Sequence, residues 1–172
     1  MSALLIVSAY TLAENRSGFY LSGGLGLHQT TVTQAQNGSE VDDSFSGLNT
    51  SFKLGGYLNP NLALYYQREL ALFSDDESYL TLSGLMGLGG TYYLSDQGGL
   101  YIEAGVGLGN VSNAAVGGFE GLGRAFMVGA GFETSSHTQV GGLIQYVTAE
   151  DDDDSSWETD ALTIGIKAEL KL

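Results

Sequence analysis

From Gly18 onward apolar and polar residues alternate with a period of two, the sign of strands with two unlike faces. Leu21, Leu25 and Leu27 alternate with Tyr20, Ser22, Gly24, Gly26 and His28. Leu48, Phe52, Leu54 and Leu58 alternate with Asn49, Ser51, Lys53 and Tyr57, and Leu62, Leu64, Tyr66, Leu70 and Leu72 alternate with Ala63, Tyr65, Gln67 and Glu69. Further sets run from Leu80 to Leu94, Leu100 to Leu108, Phe126 to Phe132, Val140 to Thr148 and Leu162 to Leu172. The pattern predicts eight strands. Asn59-Pro60 could instead cap a helix through Leu72, but alternation on both sides favours a strand.

The connections alternate in length. The second, fourth and sixth are tight and rich in turn formers: Asn59-Pro60-Asn61, Ser95-Asp96-Gln97-Gly98-Gly99 and Ser135-Ser136-His137-Thr138. The first, third, fifth and seventh are expected as longer loops near residues 33–46, 74–78, 110–123 and 149–158. Fourteen of the twenty carboxylates gather at that end: Glu40, Asp42, Asp43, Asp75, Asp76, Glu77, Glu120, Glu150, Asp151, Asp152, Asp153, Asp154, Glu158 and Asp160. Short turns at one rim and long loops at the other suit an up-and-down barrel of the outer-membrane kind.

Alternation alone does not say which face meets water. In a soluble lipocalin-like barrel the leucines would point inward. The polar face, however, carries only six charges over the eight strands: Lys53, Glu69, Glu103, Glu133, Lys167 and Glu169. That is far below the roughly 25–35% of a solvated surface. This face is also rich in Gly, which suits a narrow lumen holding Tyr20, Tyr57, Tyr65, Tyr93 and Tyr101 with Gln67 and Gln145. The leucine face is therefore assigned to lipid, with Phe19, Phe52, Tyr66, Tyr92, Phe126, Phe132 and Tyr146 on it. Inside, Lys53 is expected to pair with Glu69 or Glu103, and Lys167 with Glu133 or Glu169. Arg68 falls on the lipid face, where midplane burial costs about 2–4 kcal/mol; a bulge at Gln67-Arg68 or snorkelling to the loop side would relieve it.

Composition narrows the class. A net charge of −14 with six Lys+Arg excludes a nucleic-acid binder. No Cys and two His exclude a disulfide framework, a thiolate zinc site and cysteine catalysis. Charged residues make up only 15% of the chain, yet no run of about 18 apolar residues offers a membrane helix. Residues 1–13, with the apolar run Ala3-Leu4-Leu5-Ile6-Val7 and small Ala13 before Glu14, read as a secretory signal, without a positive leader. Residues 14–172 then form one all-β domain, a transmembrane antiparallel barrel of eight strands.

Gly18-Phe19-Tyr20-Leu21-Ser22-Gly23-Gly24-Leu25-Gly26 resembles the first strand of OmpX- and opacity-protein-like (OmpA-type) outer-membrane barrels. Gly89-Gly90-Thr91-Tyr92-Tyr93-Leu94 and Tyr101-Ile102-Glu103-Ala104-Gly105-Val106-Gly107 resemble their middle strands. The segment Thr163-Ile164-Gly165-Ile166-Lys167-Ala168-Glu169-Leu170-Lys171-Leu172 is similar to the C-terminal signal read by the barrel-assembly machinery, with Leu172 where Phe is usual. The resemblance implies a monomeric barrel of the bacterial outer membrane, in contact with its lipid and lipopolysaccharide; no trailing peptidoglycan-binding domain is expected after the last strand. Such families hold anchors, adhesins and immune-evasion proteins, besides a few lipid A deacylases and palmitoyltransferases.

Candidate chemistry is sparse. His28 is expected inside near the top of the first strand, and His137 in a short turn. Ser136 and His137 are neighbours whose side chains diverge on an extended chain, and no acid is assigned to their turn. Gly105-Val106-Gly107-Leu108-Gly109 lacks the helix and Lys-Ser/Thr of a phosphate loop. Asp151, Asp152, Asp153 and Asp154 lack EF-hand spacing and read as a solvated run, or as weak ligands for a divalent cation. The expectation is thus an outer-membrane barrel without catalytic residues or cofactor, its lumen closed and its loops facing outward. A lipid-modifying barrel enzyme and a secreted lipocalin-like binder are the alternatives.

Overall fold

A computed structural model describes residues 16–36, 39–74, 80–95, 99–113, 121–150 and 157–172. The signal segment and Asp151, Asp152, Asp153 and Asp154 lie outside them. Eight antiparallel strands close in chain order: β1 (Gly18–Gln36), β2 (Ser39–Asn59), β3 (Leu62–Ser74), β4 (Leu80–Tyr93), β5 (Leu100–Asn113), β6 (Gly121–Ser135), β7 (Thr138–Glu150) and β8 (Trp157–Lys171). The segment 59–72 is a turn and a strand, so the helix alternative falls.

Strand register fixes the shape of the cylinder. Paired residues run from Gly24 through Ser51, Glu69, Leu85, Gly109, Gly123, Ala149 and Thr159 and return to β1 at Gln34. The path comes back ten positions along, from 24 to 34. A stagger of ten over eight strands tilts them about 40° from the axis and leaves an interior just wide enough for side chains. Odd-numbered positions of β2 to β8 and even-numbered positions of β1 through Val32 turn inward; the leucine set turns out. Leu25, Leu88, Val106 and Ile166 are all more than 60% exposed to the surroundings, which in water would be untenable for so continuous a surface. The outer wall is a lipid-facing band.

The two rims differ. At the turn end, residues 60–61 and 136–137 suffice to reverse the chain, and the register shifts at Tyr57/Asn59 and Glu133/Ser135 fall beside those turns. Asn59 Oδ1 accepts the Asn61 N–H at 2.9 Å, closing an Asx turn around Pro60. At the other end one expectation is corrected. Much of 33–46 is strand rather than loop: β1 pairs with β2 as far as Gln36–Ser39 and with β8 as far as Gln36–Trp157. Cross-strand side-chain bonds, Thr33 to Asp42 at 2.7 Å and Thr31 to Ser44 at 3.0 Å, help carry the ladder past the apolar band. The hairpin projects beyond β3, which stops opposite Gly47 and Phe73 in their ladder.

Candidate functional site

Filling of the lumen, layer upon layer, is the dominant feature of the interior. At the turn end Gly18 adopts φ +84°, a conformation that favours glycine, and the chain just before it places Arg16 across the mouth. The Arg16 guanidinium donates to the Pro60 and Ser95 carbonyls at 3.0 Å each and lies 3.9 Å from the centre of the Tyr93 ring. Arg16 and Lys171 both pair with the buried Glu133 carboxylate. Above them Tyr20 stacks on Tyr65 with ring centres 5.2 Å apart, Tyr57 meets Tyr20 edge-on at 5.3 Å, and the Tyr65 hydroxyl bonds Thr91 Oγ1 at 2.9 Å.

Five charges form the middle layer. Lys53 Nζ lies 2.5 Å from Glu103 and 2.8 Å from Glu169; Lys167 Nζ lies 2.8 Å from Glu69 and 2.9 Å from Glu103 and from Glu169. Ser51 donates to Glu169 at 2.9 Å, and Gln139 donates to it as well. All five charged side chains are buried. Lys53 therefore meets Glu103 and, unexpectedly, Glu169. Lys167 meets Glu169 and two further acids. The suggested contact of Lys167 with Glu133 is corrected, because Glu133 sits lower and faces Arg16 and Lys171. With those two cations added, four positive side chains match Glu69, Glu103, Glu133 and Glu169. A neutral interior is what burial in a low dielectric requires.

Toward the loops the lumen turns apolar. Leu85, Met127, Leu143, Val147 and Phe73 form one buried cluster, with Phe45 stacked on Phe73 at 5.2 Å. His28 is at its edge, bonded to the Leu72 carbonyl at 3.2 Å and to Thr30 Oγ1 at 2.9 Å. It is a satisfied lumen residue. Close packing is helped by glycine where aromatic and amide groups approach backbone: the Tyr101 ring lies against Gly131 and Gly141, and the Gln67 carboxamide against Gly89 and Gly105.

Two other readings need correction. Ser136 and His137 do not diverge: in their two-residue turn Ser136 Oγ is 2.7 Å from His137 Nδ1. No carboxylate pairs with His137 among the described residues, so this contact lacks the third member that would orient the base. At Gln67-Arg68 the register with β2 and β4 is unbroken, so there is no bulge, and Arg68 faces outward.

The closed, tilted eight-strand cylinder agrees with a match over residues 1–169 to the family described as the outer membrane protein beta-barrel domain. The chain belongs to that family. No curated protein matches it. Among solved structures this outer-membrane barrel is similar to Ail, the attachment invasion locus protein of Yersinia pestis, at 14% identity and TM-score 0.61, covering 90% of this chain and 99% of that one. The outer membrane protein AlkL, determined in lipid bilayers, is 13% identical with TM-score 0.53, covering 100% of this chain and 97% of AlkL. OprG of Pseudomonas aeruginosa is 11% identical with TM-score 0.52, covering 94% and 99%. At these identities the likeness concerns the fold. Outer-membrane location follows from the family.

Of the lumen residues, Arg16 and Lys171 escaped the reading of the pattern. Lys171 shares the parity of Lys167 and Glu169, which is a usable signal; Arg16 precedes the first strand and has none. Arg16→Ala is expected to cost about 1.5–3 kcal/mol, the range for hydrogen bonds to charged groups, in urea unfolding from lipid vesicles. Arg16→Lys should recover only part, because an ammonium lacks the planar fork that serves two carbonyls and a carboxylate at once.

Proposed function

We propose that this outer-membrane barrel is a non-enzymatic, non-conducting anchor that holds its loop-side hairpins, the projecting β1–β2 pair foremost, outside the cell. The observation that carries the proposal is the filled lumen. A tyrosine and guanidinium floor, a buried ion-pair layer and an apolar cap fill the interior, and side chains packed in this way leave little room for a continuous file of water. Planar-bilayer recording is the test. The unmodified protein should give no regular single-channel steps, whereas large uniform currents would overturn a closed lumen.

The loop end also narrows the class of partner. The Ail structure has been determined in complex with the heparin analogue sucrose octasulfate. In this sequence fourteen of the twenty carboxylates fall in or beside the connections expected at the loop end, and among the described residues Asp42 and Asp43 stand on the exposed hairpin. Like charges repel a polyanion at contact distances. The barrel in micelles should therefore run through a heparin column at physiological salt, and a cationic partner is the chemistry its loops suit.

A further inference from the structure

The segment ahead of β1 is held to the barrel by one side chain. Of its two described residues Ser17 is exposed, as are Gly18 and Phe19 after it, whereas Arg16 is buried. Such a strap stays down only as firmly as its guanidinium is bound. The groups around that guanidinium come from three separate parts of the turn rim. Pro60 offers its carbonyl from the β2–β3 turn, Tyr93 and Ser95 offer a ring face and a carbonyl from the end of β4, and Glu133 offers its carboxylate from β6.

These groups are fixed by bonds in which Arg16 takes no part. The Asx turn at Asn59 sets the Pro60 peptide, and Asn61 ties that turn to β4 twice. Its carboxamide donates to the Tyr93 carbonyl at 3.0 Å, and its own carbonyl accepts the Tyr93 N–H at 2.7 Å. The Tyr93 hydroxyl donates to Gln139 Oε1 at 3.4 Å, which anchors the ring. Just before Ser95, the Leu94 N–H donates to the Leu100 carbonyl at 2.9 Å. The Glu133 N–H donates to the Gly99 carbonyl at 2.9 Å, and Lys171 holds the Glu133 carboxylate. A site whose walls stand without the occupant needs little reordering to receive it.

The site is shaped for a planar fork of donors. Nη1 serves both carbonyls at 3.0 Å, Nη2 pairs with the carboxylate, and the group lies 3.9 Å from the Tyr93 ring centre. A compact ammonium has no such fork, and it is the more strongly hydrated ion, so it gives up more on entering a buried site. We infer that the turn mouth is a preformed receptor for one guanidinium group, and that Arg16 is a tethered ligand filling it in cis. Closure of this mouth is then a binding equilibrium rather than a fixed part of the wall. The ligand class is an arginine side chain or a small guanidinium compound, and either takes the place of Arg16 once that side chain is gone.

Chemical rescue of Arg16→Ala is the test, read as the midpoint of heat unfolding in micelles by gel mobility. Methylguanidinium at about 20 mM, far below denaturing concentrations, should restore at least half of the lost midpoint, with a dose response that saturates as binding to the folded state requires. Methylammonium at the same ionic strength should restore little. The unmodified protein, whose site Arg16 already fills, should not respond. Nor should Leu85→Ala, which loses stability in another layer of the lumen. Arg16→Ser takes the place of the alanine variant if that one does not refold. Absence of rescue in a folded variant, equal rescue by methylammonium, or an equal gain in the unmodified protein or in Leu85→Ala would each overturn the inference.

Discussion

Lys53→Met is expected to destabilise the barrel by about 3–5 kcal/mol, the usual consequence of removing one partner from a buried ion pair. Lys53 is fully buried and lies within 2.8 Å of both Glu103 and Glu169. Without it, three carboxylates of the middle layer share Lys167 alone. Urea unfolding in lipid vesicles measures the loss, and Asp42→Asn on the exposed hairpin should be near neutral by the same assay. Adding Glu103→Gln to Lys53→Met should return part of the stability, because the second change removes the stranded charge. A fully additive double variant would mean that the two side chains do not act as a pair.

Leu85→Ala and Leu88→Ala should differ sharply although they remove the same atoms from the same strand. Leu85 is fully buried in the apolar cap against Met127, Leu143 and Val147, whereas Leu88 faces lipid and is 70% exposed. Truncating the first leaves a cavity among close-packed neighbours and should cost about 2–5 kcal/mol. Truncating the second leaves a space that acyl chains fill, and the loss should be well under half as large. Leu88→Arg reverses the ranking, at about 2–4 kcal/mol for a cation near the midplane. Equal losses for the two alanine variants would mean that the faces had been assigned wrongly.

The eight strands, their order and their two faces were legible because lipid on one side and a narrow lumen on the other impose period-two alternation over most of each span. Asn59-Pro60-Asn61 and Ser135 to Thr138 marked turns because backbone reversal selects those residue types. The upper part of the β1–β2 hairpin was not legible. Above the apolar band both of its faces are wet, so Thr31, Thr33, Asp42 and Ser44 show no contrast, and only pairing reveals a strand. In the lumen, parity located Lys53, Glu69, Glu103, Glu133, Lys167 and Glu169, but which acid meets which lysine depends on the ten-residue stagger accumulated around the cylinder. Leu85, Met127, Leu143 and Val147 carried the same inward parity as the polar residues. Their change of character toward the loops follows from height along the axis, a quantity that a single strand does not display.

Closure of β8 onto β1 joins residues more than 120 positions apart, as in Ser22 with Lys171 and Thr30 with Thr163, and such distant contacts form late. Strands β1 to β7 with Arg16 supply two cations, Arg16 and Lys53, against Glu69, Glu103 and Glu133. That seven-strand sheet carries one surplus negative charge in the surface it must fold inward. β8 brings Lys167, Glu169 and Lys171, a net single positive charge. The last strand to emerge from synthesis is thus also the counter-ion of the sheet that it seals, and electroneutrality of the interior arrives in the same event as the loss of the final free edges.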